Sequence, residues 1–169
     1  LDTEERQRFA QMSHEYLIEQ LQHTGPESTK SDQVRLNFNH PVKELVWAVR
    51  SNGEEMLEFG ANVDDFGDNT IGDRFTSAKL QLNGHDRFTE RDASYFRLVQ
   101  PYQHHTRIPR KHVYCYSFAL NPEAHQPSGT CNFSRLDNVT LNLSGLKNTT
   151  TNNDGSVLLV YAVSNNILR

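Results

Sequence analysis

Long apolar runs are missing from this chain. Nothing in its 169 residues approaches the ~20 consecutive apolar residues of a membrane-spanning helix. A basic excess is missing too. Lys and Arg number 17 against 21 Asp and Glu, a formal net charge of −4, so no electrostatic footprint for nucleic acid or an anionic membrane surface is present. Cysteine is scarce. Cys115 and Cys131 are the only two, too few for a disulfide framework, and reduced thiols in a cytosol-like compartment are the simplest expectation. The opening LDTEERQRF has no Met, no basic segment and no apolar segment, so it does not read as a signal peptide. It reads as if cut from a longer chain. The remaining balance, 36% hydrophobic, suits one domain with a real core, with or without an extra arm.

What is present is mostly strand. DTEERQRFAQM predicts a short helix, with Asp2 or Thr3 as cap and Glu4 and Glu5 at its positive end. Period-two patterning then takes over. In HEYLIEQLQ, Tyr16 and Ile18 face one way and Leu17 and Leu21 the other. In QVRLNFN, Val34, Leu36 and Phe38 alternate with polar neighbours. PVKELVWAVR is apolar from Leu45 to Val49, which predicts cover on both faces, and Pro41 sits at its start, where a missing N–H does least harm. GANVDDFGDNTIGDRF, within residues 60–76, predicts a long surface loop. SAKLQLNGHDRF predicts a hairpin on a type I′ turn at Asn83-Gly84. TERDASYFRLV predicts a second helix, with Thr89 and Asp92 as capping box and Pro101 as stop. VYCYSFAL places Tyr114, Tyr116, Phe118 and Leu120 on one face and the smaller Val113, Cys115, Ser117 and Ala119 on the other, which lets a neighbouring layer approach closely. DNVTLNLS and SVLLVYAVS complete about eight strands, the last apolar on both faces. With little helix and no internal repeat, the expectation is all-β: an eight-stranded antiparallel sandwich, a jelly roll before an immunoglobulin-like one, with one or two short helices.

Candidate chemistry is thin. His104 and His105 are adjacent and, in an extended segment, point to opposite faces. No H-x-H or H-E-x-x-H occurs, so a cupin-type metal enzyme lacks its ligand pair. Asp64, Asp65, Asp68 and Asp73 share one loop without the spacing of an EF-hand. No Gly-rich phosphate loop is present. In HQPSGTCNFSR, Cys131 or Ser128 is a possible nucleophile with His125 nearby, yet SGT is not the G-x-S-x-G elbow and nothing marks a partner for His125. A structural loop explains the segment more simply. Pro127 stiffens it, Gly129 turns it, and Ser128, Thr130, Asn132 and Ser134 satisfy local backbone groups. Asn132, Asn138, Asn142 and Asn148 stand in Asn-x-Ser/Thr sequons, which would be glycosylated only in a secreted protein. No catalytic residue, cofactor or metal is expected. The two-sided apolar strands, by contrast, ask for a neighbouring domain or subunit, which favours an assembly protein over a free enzyme.

FNHPVKELVWAVR, LNGHDRF, RDASYFRLVQPYQHHTRIP, VYCYSFAL and HQPSGTCNFSRLDNVTL occur in that order. Together they resemble the major capsid protein of the nucleocytoplasmic large DNA viruses, of phycodnavirus and iridovirus type, from about residue 12 to residue 164. Within these stretches the resemblance marks Asn39, His40, Pro41, Trp47, Gly84, Gln126, Pro127, Ser128, Gly129 and Arg135 as structural motif residues.

The resemblance implies a double jelly roll, of which this chain is the second, C-terminal half. Residues 1–12 would be a linker helix from a missing first jelly roll, and residues 13–169 a jelly-roll domain truncated at its end. It implies homotrimeric, pseudo-hexagonal capsomers tiling an icosahedral shell. The implied partners are other copies of the chain, neighbouring capsomers and minor capsid proteins, with no nucleic acid contact and no direct membrane insertion. The implied location is the virion, assembled in the host cytoplasm. HQPSGTCNFSR would be the loop before the penultimate strand, without chemistry. Two further classes stay open: a lectin-like carbohydrate-binding jelly roll using the Asp/Asn loop, and a metal-dependent cupin-type enzyme.

Overall fold

The computed structural model describes residues 2–28, 32–50, 61–63, 69–71, 73–146 and 157–169. Helix α1 (Thr3–Gln11) opens the chain with a complete capping box. The Asp2 side chain accepts from the Glu5 N–H at 2.8 Å, and the Glu5 carboxylate accepts from the Asp2 N–H at 3.2 Å. None of its residues is buried, so the helix forms on local signals and not on core packing.

Two five-stranded antiparallel sheets follow. In the first, β1 (Tyr16–Ser28) pairs with β12 (Val157–Leu168), and β12 pairs with β3 (Pro41–Arg50). The other edge of β3 is shared by β9 (Tyr114–Ser117) and β10 (Cys131–Asn132). In the second sheet, β2 (Gln33–Arg35) pairs with β11 (Val139–Ser144), and β11 with β6 (Ser77–Leu82). Here β7 (His85–Asp86) and β8 (Arg91–Asp92) share the far edge of β6. A separate ribbon joins β4 (Ala61–Val63) to β5 (Asn69–Ile71). This ribbon lies inside the stretch read from sequence as one long loop.

The expectation of a jelly-roll sandwich holds. Among the described residues there are more than eight strands, because several short segments pair along the edge of a longer strand and are too brief to leave a period in the sequence. The core lies between the sheets: Leu45, Trp47, Val49, Leu158 and Val160 from one, Val34, Leu80, Leu141 and Leu143 from the other. Each such side chain contributes about 1.5–3 kcal/mol by leaving water. Tyr114, Tyr116 and Phe118 also face inward, where Phe75, Phe88 and Phe133 meet them with ring centroids 4.5, 4.7 and 5.9 Å away. Leu120 does not join them; it is 79% exposed, because β9 has ended at Ser117. The Asn83-Gly84 turn is as expected, with φ of 50° and 81°.

The second helix departs from its expected ends. Asp92 is paired with Ser77 as part of β8, so Thr89 and Asp92 do not cap it. The helical stretch begins at Ala93, passes through a π-helical turn at Tyr95–Val99, and continues as α2 (Gln100–His104). Pro101 therefore lies inside the helical stretch and does not stop it. The wide turn explains this: the Gln100 N–H reaches back to the Tyr95 carbonyl, and Pro101, with no N–H to donate, enters as an early residue of α2. The helix ends at His104, where the His105 N–H caps the Pro101 carbonyl at 2.8 Å.

That helical stretch supplies part of the cover predicted for the two-sided strands. Phe96 enters the core against Trp47, ring centroids 5.2 Å apart. Gln100 lies along the open edge of β9, where its Oε1 accepts from the Ser117 N–H at 3.0 Å. Pro101, His105, Arg107, Pro109 and Val113 then roof the outer side of Glu44, Val46 and Cys115. The small face of VYCYSFAL thus admits a layer from its own chain. Farther along the outer face, Leu159, Tyr161 and Val163 stay half-buried and Leu21 exposed.

Candidate functional site: a sheet-edge junction and a roofed polar cluster

The segment 118–135 leaves the edge of β3 and returns to it. Phe118 and Ala119 donate their N–H groups to the Lys43 carbonyl at 2.9 and 3.2 Å. The chain then loops out and re-enters as β10, with Cys131 opposite Val42 and Asn132 opposite Pro41. Gly129 makes the return possible. Its φ is 149°, and a Cβ there would stand 2.7 Å from the Phe118 carbonyl oxygen. Ser128 ties the neck of the loop: its hydroxyl accepts from the Asn121 N–H at 2.9 Å and donates to the Asn121 carbonyl at 3.2 Å.

A second set of bonds locks the start of β3. His40 adopts φ 67°, donates its N–H to Ser134 Oγ at 2.8 Å and accepts from the Phe133 N–H at 3.1 Å. Asn39 exchanges bonds with Gln22, whose Nε2 donates to the Asn39 carbonyl at 2.6 Å and whose Oε1 accepts from the Asn39 N–H at 2.8 Å. Most of the expected motif residues therefore meet in one place. Asn39, His40, Pro41, Ser128 and Gly129 build the junction, and Pro127 lines a surface hollow beside it with Leu17 and Pro41. Arg135 is exposed in a single 3₁₀ turn, and Gln126 is exposed on the loop. Trp47 and Gly84 lie elsewhere, in the core and the hairpin turn.

The nucleophile reading fails on contacts. The Ser128 hydroxyl is engaged by Asn121, and burial raises the Cys131 thiol above its ordinary value. His125 is largely exposed and its Nδ1 lies 4.0 Å from Glu19. The sequons divide as well. Asn142 is buried and donates to Gln81 Oε1 at 3.0 Å, which leaves no room for a sugar. Asn132 caps the 3₁₀ turn through Ser134, and Asn138 accepts from Thr140. Asn148 lies outside the described residues, as do Asp64, Asp65 and Asp68. Asp73 is held by Arg97 at 2.7 and 3.3 Å and by the Tyr114 hydroxyl at 3.0 Å. No helix among the described residues is long and apolar enough to cross a membrane.

Sequence reasoning missed the polar cluster under the roof. Glu44, in register with Ser117, is buried on the outer face of β3. His105 comes from the turn after α2, and its Nε2 lies 2.5 Å from Glu44 Oε1. On its other side, His105 Nδ1 lies 3.2 Å from Glu123 Oε1. Cys115 stands beside Glu44 on the same face. Burial raises the Glu44 carboxyl, with His105 opposing, and it raises the Cys115 thiol far above its ordinary value, with Glu44 adding to the effect. The one sequence signal was the charged pair Lys43-Glu44 inside a strand covered on both faces. Lys43 is answered by Glu19 at 2.5 Å.

Residues 5–169 match the family described as large eukaryotic DNA virus major capsid protein. The chain belongs to that family. It is 50% identical to the major capsid protein of Pyramimonas orientalis virus, over 100% of this chain and 44% of that protein. With the major capsid protein of Paramecium bursaria Chlorella virus 1 it shares 41% identity, over 100% of this chain and 49% of the relative. The chain thus spans about half the length of the curated relatives it matches. A solved structure of the PBCV-1 virus capsid superposes with a TM-score of 0.73 at 38% identity, covering 100% of this chain and 52% of that one. Membership of a capsid family agrees with the expectation of a structural chain that is not an enzyme.

Proposed function

We propose that this chain is the C-terminal jelly roll of a double-jelly-roll capsid subunit, preceded by a linker helix at residues 1–12. In this reading the subunit forms trimeric, pseudo-hexagonal capsomers. It meets neighbouring capsomers and minor capsid proteins in the virion shell and assembles in the host cytoplasm. The observation that carries the reading is coverage: the whole chain aligns with roughly half of the Pyramimonas orientalis virus and Paramecium bursaria Chlorella virus 1 capsid proteins, as one of two tandem jelly rolls would. Half-buried Leu159, Tyr161 and Val163, with exposed Leu21, give the outer face of β1 and β12 an apolar character that suits packing against another domain or subunit.

Solution mass by light scattering, on the subunit carrying both jelly rolls, tests it. A stable trimer is expected. A monomer under all assembly conditions would overturn the capsomer reading. The comparisons lend nothing to the lectin-like alternative, and Asp73 is already held by Arg97 and Tyr114.

A further inference from the structure

The contacts of His105 contain a proton deficit. Its Nδ1 faces a Glu123 carboxylate oxygen at 3.2 Å and its Nε2 faces a Glu44 carboxylate oxygen at 2.5 Å. Neutral imidazole has one N–H and can satisfy only one of them. The other contact holds an added proton or a cation. Cys115 turns its sulfur to the same point. One ligand atom each from Glu44, His105 and Cys115 lies within 4.8 Å of the others.

We propose that Glu44, His105 and Cys115 form a site for a zinc-class divalent cation. The donor set of one oxygen, one imidazole nitrogen and one thiolate sulfur suits a borderline-soft ion and not calcium or magnesium. Bonds of about 2.0–2.3 Å to such an ion place ligand atoms roughly 3.3–3.8 Å apart, so the wider contacts must contract by about 1 Å and the Glu44–His105 pair, now 2.5 Å apart, must open by about 0.8 Å. Glu123 is the outer carboxylate that accepts a hydrogen bond from the Nδ1–H and aims Nε2 inward, an arrangement ordinary for metal-bound histidine. A hollow of about 160 Å³ beside the cluster, between Pro101 and Pro109, has room for a water as fourth ligand. Binding releases the Cys115 thiol proton to solvent, so affinity rises with pH. The ligands come from β3, the turn after α2, and β9, so the ion would fasten the roof segment to the sheet. No short spacing motif could have announced them.

The test uses the full-length subunit, stripped with chelator under reducing conditions and titrated with Co(II) and then Zn(II). The expected result is stoichiometric binding, a thiolate-to-cobalt charge-transfer band that Zn(II) bleaches, and proton release in weak buffer. Cys115→Ser should abolish the band and Cys131→Ser should leave it. Glu123→Gln, at a partly exposed position whose amide oxygen still accepts from the Thr106 N–H, should weaken binding about 10–100-fold. Absence of stoichiometric binding to the wild type would overturn the site, leaving a proton clamp only. So would a band that persists in Cys115→Ser, or an affinity that Glu123→Gln leaves unchanged.

Discussion

On its inner face β3 presents Leu45, Trp47 and Val49 to an apolar layer. On its outer face the same strand presents Glu44 and Val46 beneath an irregular segment that runs from α2 to β9. Inside, neighbours are interchangeable hydrocarbon, and fit is a matter of volume. Outside, cover comes from a turn and loop whose backbone cannot pair with a sheet. Single polar anchors fasten it there: Gln100 to the Ser117 N–H, and His105 to Glu44. A regular face can be closed by bulk. An irregular roof needs addressed contacts, and each carries a larger share of the work.

The largest effect should come from the inner face. Trp47→Ala removes a buried ring that meets both Phe96 and Tyr114, and should cost about 3–5 kcal/mol, read as a fall in the thermal or denaturant midpoint. Trp47→Phe sharpens the point. The indole N–H has no hydrogen-bond partner among the described residues, so only volume is lost and the cost should be clearly smaller. Equal losses from the two variants would mean that the indole does more than fill space.

The outer face should answer to polarity instead. Gln100→Leu keeps bulk but leaves the buried Ser117 N–H without its acceptor, at about 1–3 kcal/mol. Gly129→Ala probes the neighbouring edge of the same strand. Its Cβ would meet the Phe118 carbonyl, and strain on the order of 1–3 kcal/mol is expected. Hydrogen exchange should show β10 opening first in that variant. If Gln100→Leu were neutral, bulk alone would close the roof and the contrast between the faces would fail.

Sequence patterning rendered the inner face well. Period two identified Val34, Leu36 and Phe38 because each repeats the same geometry with its neighbours. It also found the Asn83-Gly84 turn, a local matter of φ. The junction residues were legible only as a motif: nothing local shows that Gly129 meets Phe118, since that contact depends on both ends of the loop reaching β3. The roof was not legible. Its anchors pair residues distant in the chain, and Pro101 looked like a stop because a π-helical turn leaves no period of its own.

Charge gives the finest contrast. Burial raises the Glu44 carboxyl, so the folded state holds its proton more tightly than the unfolded chain does. Its stabilising contribution is complete below the ordinary value of 4.5 and is lost as pH rises through the raised folded value. In the metal-free protein, the thermal midpoint of the wild type should fall relative to Glu44→Gln as pH rises above 4.5. A constant difference would mean that Glu44 does not titrate in the folded state within that window. Lys79 and Asp86 form the opposite case, 3.4 Å apart on the exposed hairpin of the second sheet. Water already solvates both charges, so Lys79→Ala should leave the midpoint unchanged within error at any salt concentration. A measurable, salt-dependent loss there would mean that the hairpin is covered in the intact subunit, and the exposed and roofed charges would no longer differ in kind.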